Sequence, residues 1–287
     1  MSTRRDDAAP PALLEALHVL RASSPASRWL EAYPVGNGVR GAMCAGLVGG
    51  EKLWLNDITA WSGRADADPL EGVTARGVET LAAVRAAIDT GDLDAAEALL
   101  QQMQTPWVQA YLPLGWVDLA VDVPDAAGAD FGSGDETPSA HVRRLDLATG
   151  VATHEYAIGG IGVRHRTWAD LVTGAIMHEV TAAEPVRVRL EIGSLLRARS
   201  APRSAGGDLA TEWWLPVDVA PGHEDPAEPI RYDDEHGRHG AIVVQARGAS
   251  EVVDGVLIGA PATTHLFAIA TATAPSLPGD PADARDA

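Results

Sequence analysis

The chain has 287 residues, 46% of them hydrophobic, a formal net charge of −18 and one cysteine. That is enough apolar material for one large core or two small ones. The acidic balance excludes the concentrated cationic patch that nucleic acid or an anionic membrane surface requires.

The N-terminal stretch "MSTRRDDAAPPALLEALHVLRASS" has Arg4 and Arg5, but Glu15 and His18 interrupt its apolar run. It reads as neither signal peptide nor membrane span, so a cytoplasmic protein is expected. Residues 1–25 read as a flexible arm with a weak helix around 11–21. From Trp29 to Trp61 the pattern is strands and glycine turns. Within it, "PVGNGVRGAM" (34–43) is a literal G-x-G-x-x-G, Gly36, Gly38 and Gly41, with Asp57 downstream. A dinucleotide site needs a helix straight after these glycines to hold the pyrophosphate. The following segment carries Gly46, Gly49 and Gly50, each costing about 1 kcal/mol in a helix interior. It reads instead as strand, turn, strand, with Leu53 and Leu55 on one face. The glycines then serve turns and close backbone packing. Cys44, beside Met43 in the first of these strands, reads as a small buried hydrophobe, and a lone thiol excludes an internal disulfide.

Residues 75–104 change period. Val78, Leu81, Val84 and Ile88 recur at helical spacing until Gly91. Asp92 then caps a second helix with Leu93, Ala96, Leu100 and Met103 in its stripe, ended by Pro106. This is a helical hairpin inserted in a β protein, its stripes expected to be packing. Alternation returns in "LGWVDLAVDV", with Val117, Leu119, Val121 and Val123 inward and Asp118 and Asp122 outward. Residues 124–140 read as a flexible loop. Short strands then recur every eight to twelve residues up to about 274, and 275–287 reads as a disordered acidic tail. The fold class is mainly β: a large antiparallel β-sandwich over 26–274.

Chemistry is sparse. Asp57, Asp118, Asp146, Glu155, Asp170 and Glu179 mostly fall on polar strand faces, where solvated carboxylates are the ordinary reading. "YDDEHGRHG" (232–240) holds Asp233, Asp234, His236 and His239, a poor frame for zinc among loop residues. Ser62 and Ser194 lack a nucleophile elbow. No catalytic residue, metal or cofactor is expected from these patterns. Of the eight Trp, Trp29, Trp54 and Trp168 are expected in the core. Trp61, with Asn56, Asp57 and Arg64, has the mix of aromatic plane and polar groups that contacts a sugar. One of Trp213 and Trp214 is expected to be exposed, since adjacent residues of a strand face opposite sides.

Three ordered pieces, "WLEAYPVGNGVRGAM" (29–43), "KLWLNDITAWSG" (52–63) and "YLPLGWVDLAV" (111–121), followed by "RRLDLATGVATHEYAIGGIGVRHRTWAD" (143–170), resemble the N-terminal β-sandwich domain of glycoside hydrolase family 95, the inverting α-L-fucosidases. The resemblance spans roughly 28–273. It implies a non-catalytic domain, with Gly36, Asn37, Gly38 and Gly41 as a structural motif. It implies a sandwich truncated or split from its catalytic (α/α)6 barrel, with such a barrel on a separate chain as partner and a fucosylated oligosaccharide as a possible ligand. Asn56, Asp57, Trp61 and Arg64 are the residues expected to face barrel or carbohydrate. Alternatives are an autonomous carbohydrate-binding module or a structural interaction domain. The sequence departs from the family at Asp57-Ile58, where the family has Glu-Asp, and at Gly115-Trp116, where it has Gly-Asp.

Overall fold

Two strands of unusual length organise the protein. In the computed structural model, which describes residues 18–64, 73–75, 77–105, 107–123, 141–205 and 207–275, β9 runs over Ile176–Gly193 and β17 over Val256–Pro275. Ordinary strands have about 5–6 residues. Each of these two is long enough to serve both layers of a sandwich.

The layers follow from what pairs with each half. β1 (Val19–Ala22), β6 (Val142–Asp146), β7 (Val151–Ile158) and β8 (Ile161–Ala169) lead in order onto the first half of β9. The second half of β17, β15 (Arg238–Arg247), β12 (Asp208–Leu215), β10 (Arg197–Ala198) and β11 (Arg203–Ala205) extend that layer. β2 (Tyr33–Gly36), β3 (Arg40–Cys44), β4 (Gly50–Asp57) and β5 (Gly115–Asp122) pair in succession onto Arg187–Gly193 of β9. The first half of β17 joins this second layer and carries β16 (Ser250–Val253). All named pairings are antiparallel, and the β9–β17 ladder shifts register between Gly259 and Thr264, where the strands bend from one layer into the other. β13 (Asp218–Val219) and β14 (Ile230–Arg231) make a separate ribbon.

Alternation fills the space between the layers. Leu53, Leu55, Val117 and Leu119 from the second layer share one core with Val163, Val180, Ile242 and Phe267 from the first. Val117, Leu119, Val121 and Val123 point inward as the pattern of β5 predicts, while Asp118 and Asp122 stay half-buried on the outer face.

Two helices interrupt the β pattern, α1 (Val78–Asp89) and α2 (Leu93–Gln102). Gly91 adopts φ 78° between them. Asp92 caps α2 by accepting a 3.0 Å hydrogen bond from the Ala95 amide. Among the described residues no helix is long and apolar enough to cross a membrane.

Three expectations are corrected. Val19–Ala22, placed in an arm with a weak helix, is a strand that pairs with Arg143–Asp146; residues 1–17 lie outside the described residues. The tryptophans do not fill the core: Trp213 is buried, Trp29 and Trp61 are exposed, and Trp54, Trp107, Trp116, Trp168 and Trp214 are half-buried. The reason is phase. Trp54, Trp116, Trp168 and Trp214 sit on the outward face of alternating strands, where cations cover them: Lys52 lies 4.5 Å from the Trp116 ring centre, Arg166 5.5 Å from Trp168 and Arg199 5.2 Å from Trp214. The helical stripes, expected to be packing, bury only Val84 and Ala96. The loop at 124–140 and the tail beyond Pro275 fall outside the described residues.

Candidate functional site

The glycine-rich segment is a β-hairpin. Gly38 takes φ 87° in the turn between β2 and β3, a conformation L side chains rarely adopt. Gly41 faces Gly36 across the ladder, and a Cβ on Gly41 would stand 3.0 Å from the Val35 carbonyl. Asn37 closes the turn: its Oδ1 accepts from the Val39 and Arg40 amides at 3.1 and 2.8 Å. Its Nδ2 donates to the Gly174 carbonyl at 3.2 Å. The hairpin tip is thereby tied to the turn between β8 and β9 in the other layer.

Beside this turn, β4 runs out into the segment holding Asn56, Asp57 and Trp61. Asp57 is the centre of a buried brace. Its Oδ1 accepts from the Thr59 amide and hydroxyl at 2.9 and 2.6 Å, and its Oδ2 accepts from the Thr271 hydroxyl of β17 at 2.6 Å. Arg40 Nε lies 3.7 Å from Oδ2 and donates to the Thr271 carbonyl at 2.9 Å. The Thr273 hydroxyl continues the chain to Thr59 at 2.7 Å. Both carboxylate oxygens are therefore committed to structure.

Asn56 and Trp61 sit on the surface. Trp61 Nε1 donates to the Ile58 carbonyl at 2.8 Å, and its ring meets Tyr111 edge to face with centres 5.2 Å apart. The Tyr111 hydroxyl reaches Asn56 Oδ1 and the Asp57 carbonyl, the latter at 3.0 Å. Burial and the Asp57 charge push the Tyr111 hydroxyl above its ordinary pKa, so it acts as a neutral donor. Arg64 follows, half-buried. The structure thus brings Asn37, Asn56, Asp57, Trp61 and Tyr111 to one end of the sandwich, together with exposed Val39, Ile58, Leu171 and Val172.

The other suspected acids have partners. Asp118 pairs with Lys52 and accepts from Trp116 Nε1, Glu155 with Arg144 and Arg164, and Glu179 with Arg166. Asp170 folds its own turn by accepting from the Val172 and Thr173 amides, and Asp146 accepts from the Ala148 amide. Ser62 Oγ accepts from the Ala110 amide and Ser194 Oγ donates to the Leu114 carbonyl. Of the 232–240 cluster, Asp233 and His236 pair within the turn while His239 is buried in β15. Among the described residues no group of three or more His, Cys, Asp or Glu is placed to hold a metal.

A second polar network lies among strands β4, β7, β8 and β9. Glu51, at the other end of β4 from Asp57, is buried and faces His154 of β7, Oε2 to Nδ1 at 3.3 Å. His154 Nε2 faces the Gly50 carbonyl at 3.2 Å, so both ring nitrogens meet acceptors. Its ring stacks on His165, centres 4.2 Å apart. His165 joins the Tyr156 hydroxyl at 3.0 Å to His178 at 3.1 Å, and His178 joins the Thr167 hydroxyl at 2.9 Å. In either direction this chain closes with one proton on each of His165 and His178. Burial agrees: it pushes His165 well below the ordinary histidine value and His178 to about 4. Burial alone would raise Glu51, but His154 and the Gly46 amide hold it below its usual value. A cavity of about 10 Å³ beside Cys44, Glu51, Arg143 and His154 has room for about one water and no ligand. The network is structural. Its signal was in the sequence: His154, His165 and His178 are in phase with Ala152, Val163 and Ile176, on the buried face.

Comparison with known proteins places this architecture. The family model described as "Glycosyl hydrolase family 65, N-terminal domain" matches residues 20–274. Alpha-L-fucosidase 2 from Arabidopsis thaliana is 25% identical over 230 residues, covering 78% of this chain and 26% of that protein. The chain thus spans about a quarter of the length of this curated relative. A solved structure, a putative kojibiose phosphorylase from human microbiome, aligns with a TM-score of 0.42 and 8% identity over 84% of this chain and 30% of that one. The motifs resembled family 95, whereas the matching family model is that of family 65; an N-terminal β-domain of a glycoside hydrolase is common to both. The chain belongs to the glycosyl hydrolase family 65 N-terminal domain family.

Proposed function

We propose that this chain is the non-catalytic β-sandwich of an α-L-fucosidase-type glycoside hydrolase, working with a catalytic barrel in the same polypeptide or on another chain. The observation that carries the reading is Asp57. It is buried beside the exposed aromatic end, and both its oxygens are held by Thr59 and Thr271. Inverting hydrolysis needs an acid and a base about 6.5–9.5 Å apart with space for water between them. A carboxylate locked into a threonine brace serves neither role. The similarity to Alpha-L-fucosidase 2 supports fucose as the sugar class, and the segment that is similar is about a quarter of that protein.

The end that carries Asn56, Ile58, Trp61 and Tyr111 is then the face toward the barrel. Incubating the pure chain with nitrophenyl α-L-fucoside tests the assignment. Release no faster than the buffer blank is expected. Turnover that disappears on substituting a carboxylate of this chain would overturn it.

The exposed Trp61–Tyr111 pair favours a second reading, carbohydrate contact at the same end. A sugar ring stacks its apolar face on an aromatic plane while Asn56 offers an amide to its hydroxyls. Titration of a fucosylated oligosaccharide, followed by tryptophan fluorescence, tests it.

A further inference from the structure

The helical hairpin is not accounted for by its own contacts. Isolated helices shorter than about 12–15 residues are marginal in water, and helices in proteins are held by burying an apolar face. Here the seam between α1 and α2 buries Val84 and Ala96. Val78 is 81% exposed and Leu93 66%, and Leu81, Ile88 and Leu100 are exposed beside them. Val78, Leu81 and Ile88 share one arc of α1, and Leu93 and Leu100 share one arc of α2. Each helix therefore carries an apolar stripe wider than the seam uses. A contiguous exposed stripe of this kind marks a protein contact.

The insertion leaves at Trp61 and returns at Tyr111, which are bridged to each other. Charge narrows the occupant. From Val78 to Gln102 the hairpin has Glu79, Asp89, Asp92, Asp94 and Glu97 against Arg85. A second copy would bring these acids together, which like-charge repulsion opposes, whereas a basic rim would complement them. Length narrows it further: Alpha-L-fucosidase 2 matches this chain over only 26% of its own sequence, so most of that protein lies outside the match.

We infer that the free face of the α1–α2 hairpin docks the remaining domain of the glycoside hydrolase to which this sandwich belongs, through an apolar groove rimmed by Arg or Lys. This rests on the proposed function above, and names the surface that joins the two parts.

The test is site-directed photocrosslinking in the cells the chain comes from. Benzoylphenylalanine replaces Leu81 or Ile88 on the free face, Ala83 on the opposite side of α1, or Ile58 at the sandwich end. Far-ultraviolet circular dichroism of each variant confirms the fold. Adducts from Leu81 and Ile88 to a glycosidase catalytic domain, at least tenfold more abundant than from Ala83, are expected. Adducts to such a domain from Ile58 but not from Leu81 or Ile88 would overturn the hairpin as the docking element and leave the proposed function standing. Adducts joining two copies, or joining the hairpin to its own sandwich, would overturn it in favour of those contacts. A glycosidase domain captured from none of the four positions would overturn both.

Discussion

Glu51 of β4 and His154 of β7 meet across the interior of the sandwich, carboxylate to imidazole at 3.3 Å, with both side chains buried. One belongs to each layer, so the pair fixes how the layers register. The Glu51 Oε1 also accepts from the Gly46 and Lys52 amides at 2.8 Å each. Removing either partner leaves a buried ionisable group without its hydrogen-bonding partner, which costs about 3–5 kcal/mol. Glu51→Ala and His154→Ala are each expected to lower the urea-unfolding free energy by that order. A cost below about 1 kcal/mol would show that the pair is not a structural element.

Acid should weaken the fold through His178. Its pKa in the folded chain is about 4, against 6.5 as the ordinary value. Above pH 6.5 neither the folded nor the unfolded chain holds the proton, and the full stability is present. Below it the unfolded chain takes up a proton that the folded one refuses, so stability falls until the pH passes the folded value. For His178 the window is therefore about pH 6.5 down to 4 and the loss about 3 kcal/mol, and His165, pushed well below the ordinary value by burial, adds loss of the same sign. Glu51, also held below its usual value, adds to the loss at the acid end. Urea midpoints measured across this range should fall with pH, and His178→Asn should flatten the slope.

Asp57 is expected to matter for folding. Asp57→Ala leaves the buried Thr271 hydroxyl without its acceptor and removes the anchor of Thr59, at a cost of about 2–3 kcal/mol. Thermal denaturation should show a lowered midpoint. Asp57→Asn, which keeps an acceptor at Oδ1, should recover part of it.

Trp61 is expected to matter for contact. It is exposed, and its indole Nε1 donates to the Ile58 carbonyl. Trp61→Ala should change unfolding free energy by about 1 kcal/mol or less while abolishing any fluorescence response to fucosylated oligosaccharide. A response of unchanged amplitude in the variant would place the sugar contact elsewhere.

Much of the fold was legible. The alternation of β5 assigned Val117 and Leu119 inward and Asp118 outward, and the structure agrees. The helical hairpin was visible because Gly91 and Asp92 punctuate two 3.6-residue patterns. The tryptophans were misplaced because size outweighed phase: Trp54 lies between Leu53 and Leu55, which already face inward, so alternation alone turns it out. The histidines were missed for the opposite reason, since polar residues in the buried phase were read as part of an ordinary strand. The sharing of β9 and β17 between two layers was not legible. It depends on partners more than sixty residues away and on a register shift that no local pattern announces. At the candidate site, Asn56 and Trp61 lie on the surface, whereas Asp57, expected to face barrel or carbohydrate, is buried because Thr59 and Thr271 hold both its oxygens. Tyr111 was not expected there, because it arrives from the far side of the helical insertion.

The central claim is that this sandwich works only with a catalytic part of a glycoside hydrolase. The most direct measurement is native purification from its own cells, with fucosidase activity followed across the size-exclusion profile. The account predicts that the sandwich elutes with a catalytic domain, in one chain or two, and that fucosidase activity follows it. Elution of the sandwich at the size of a single 287-residue chain, with the activity elsewhere or absent, would contradict it.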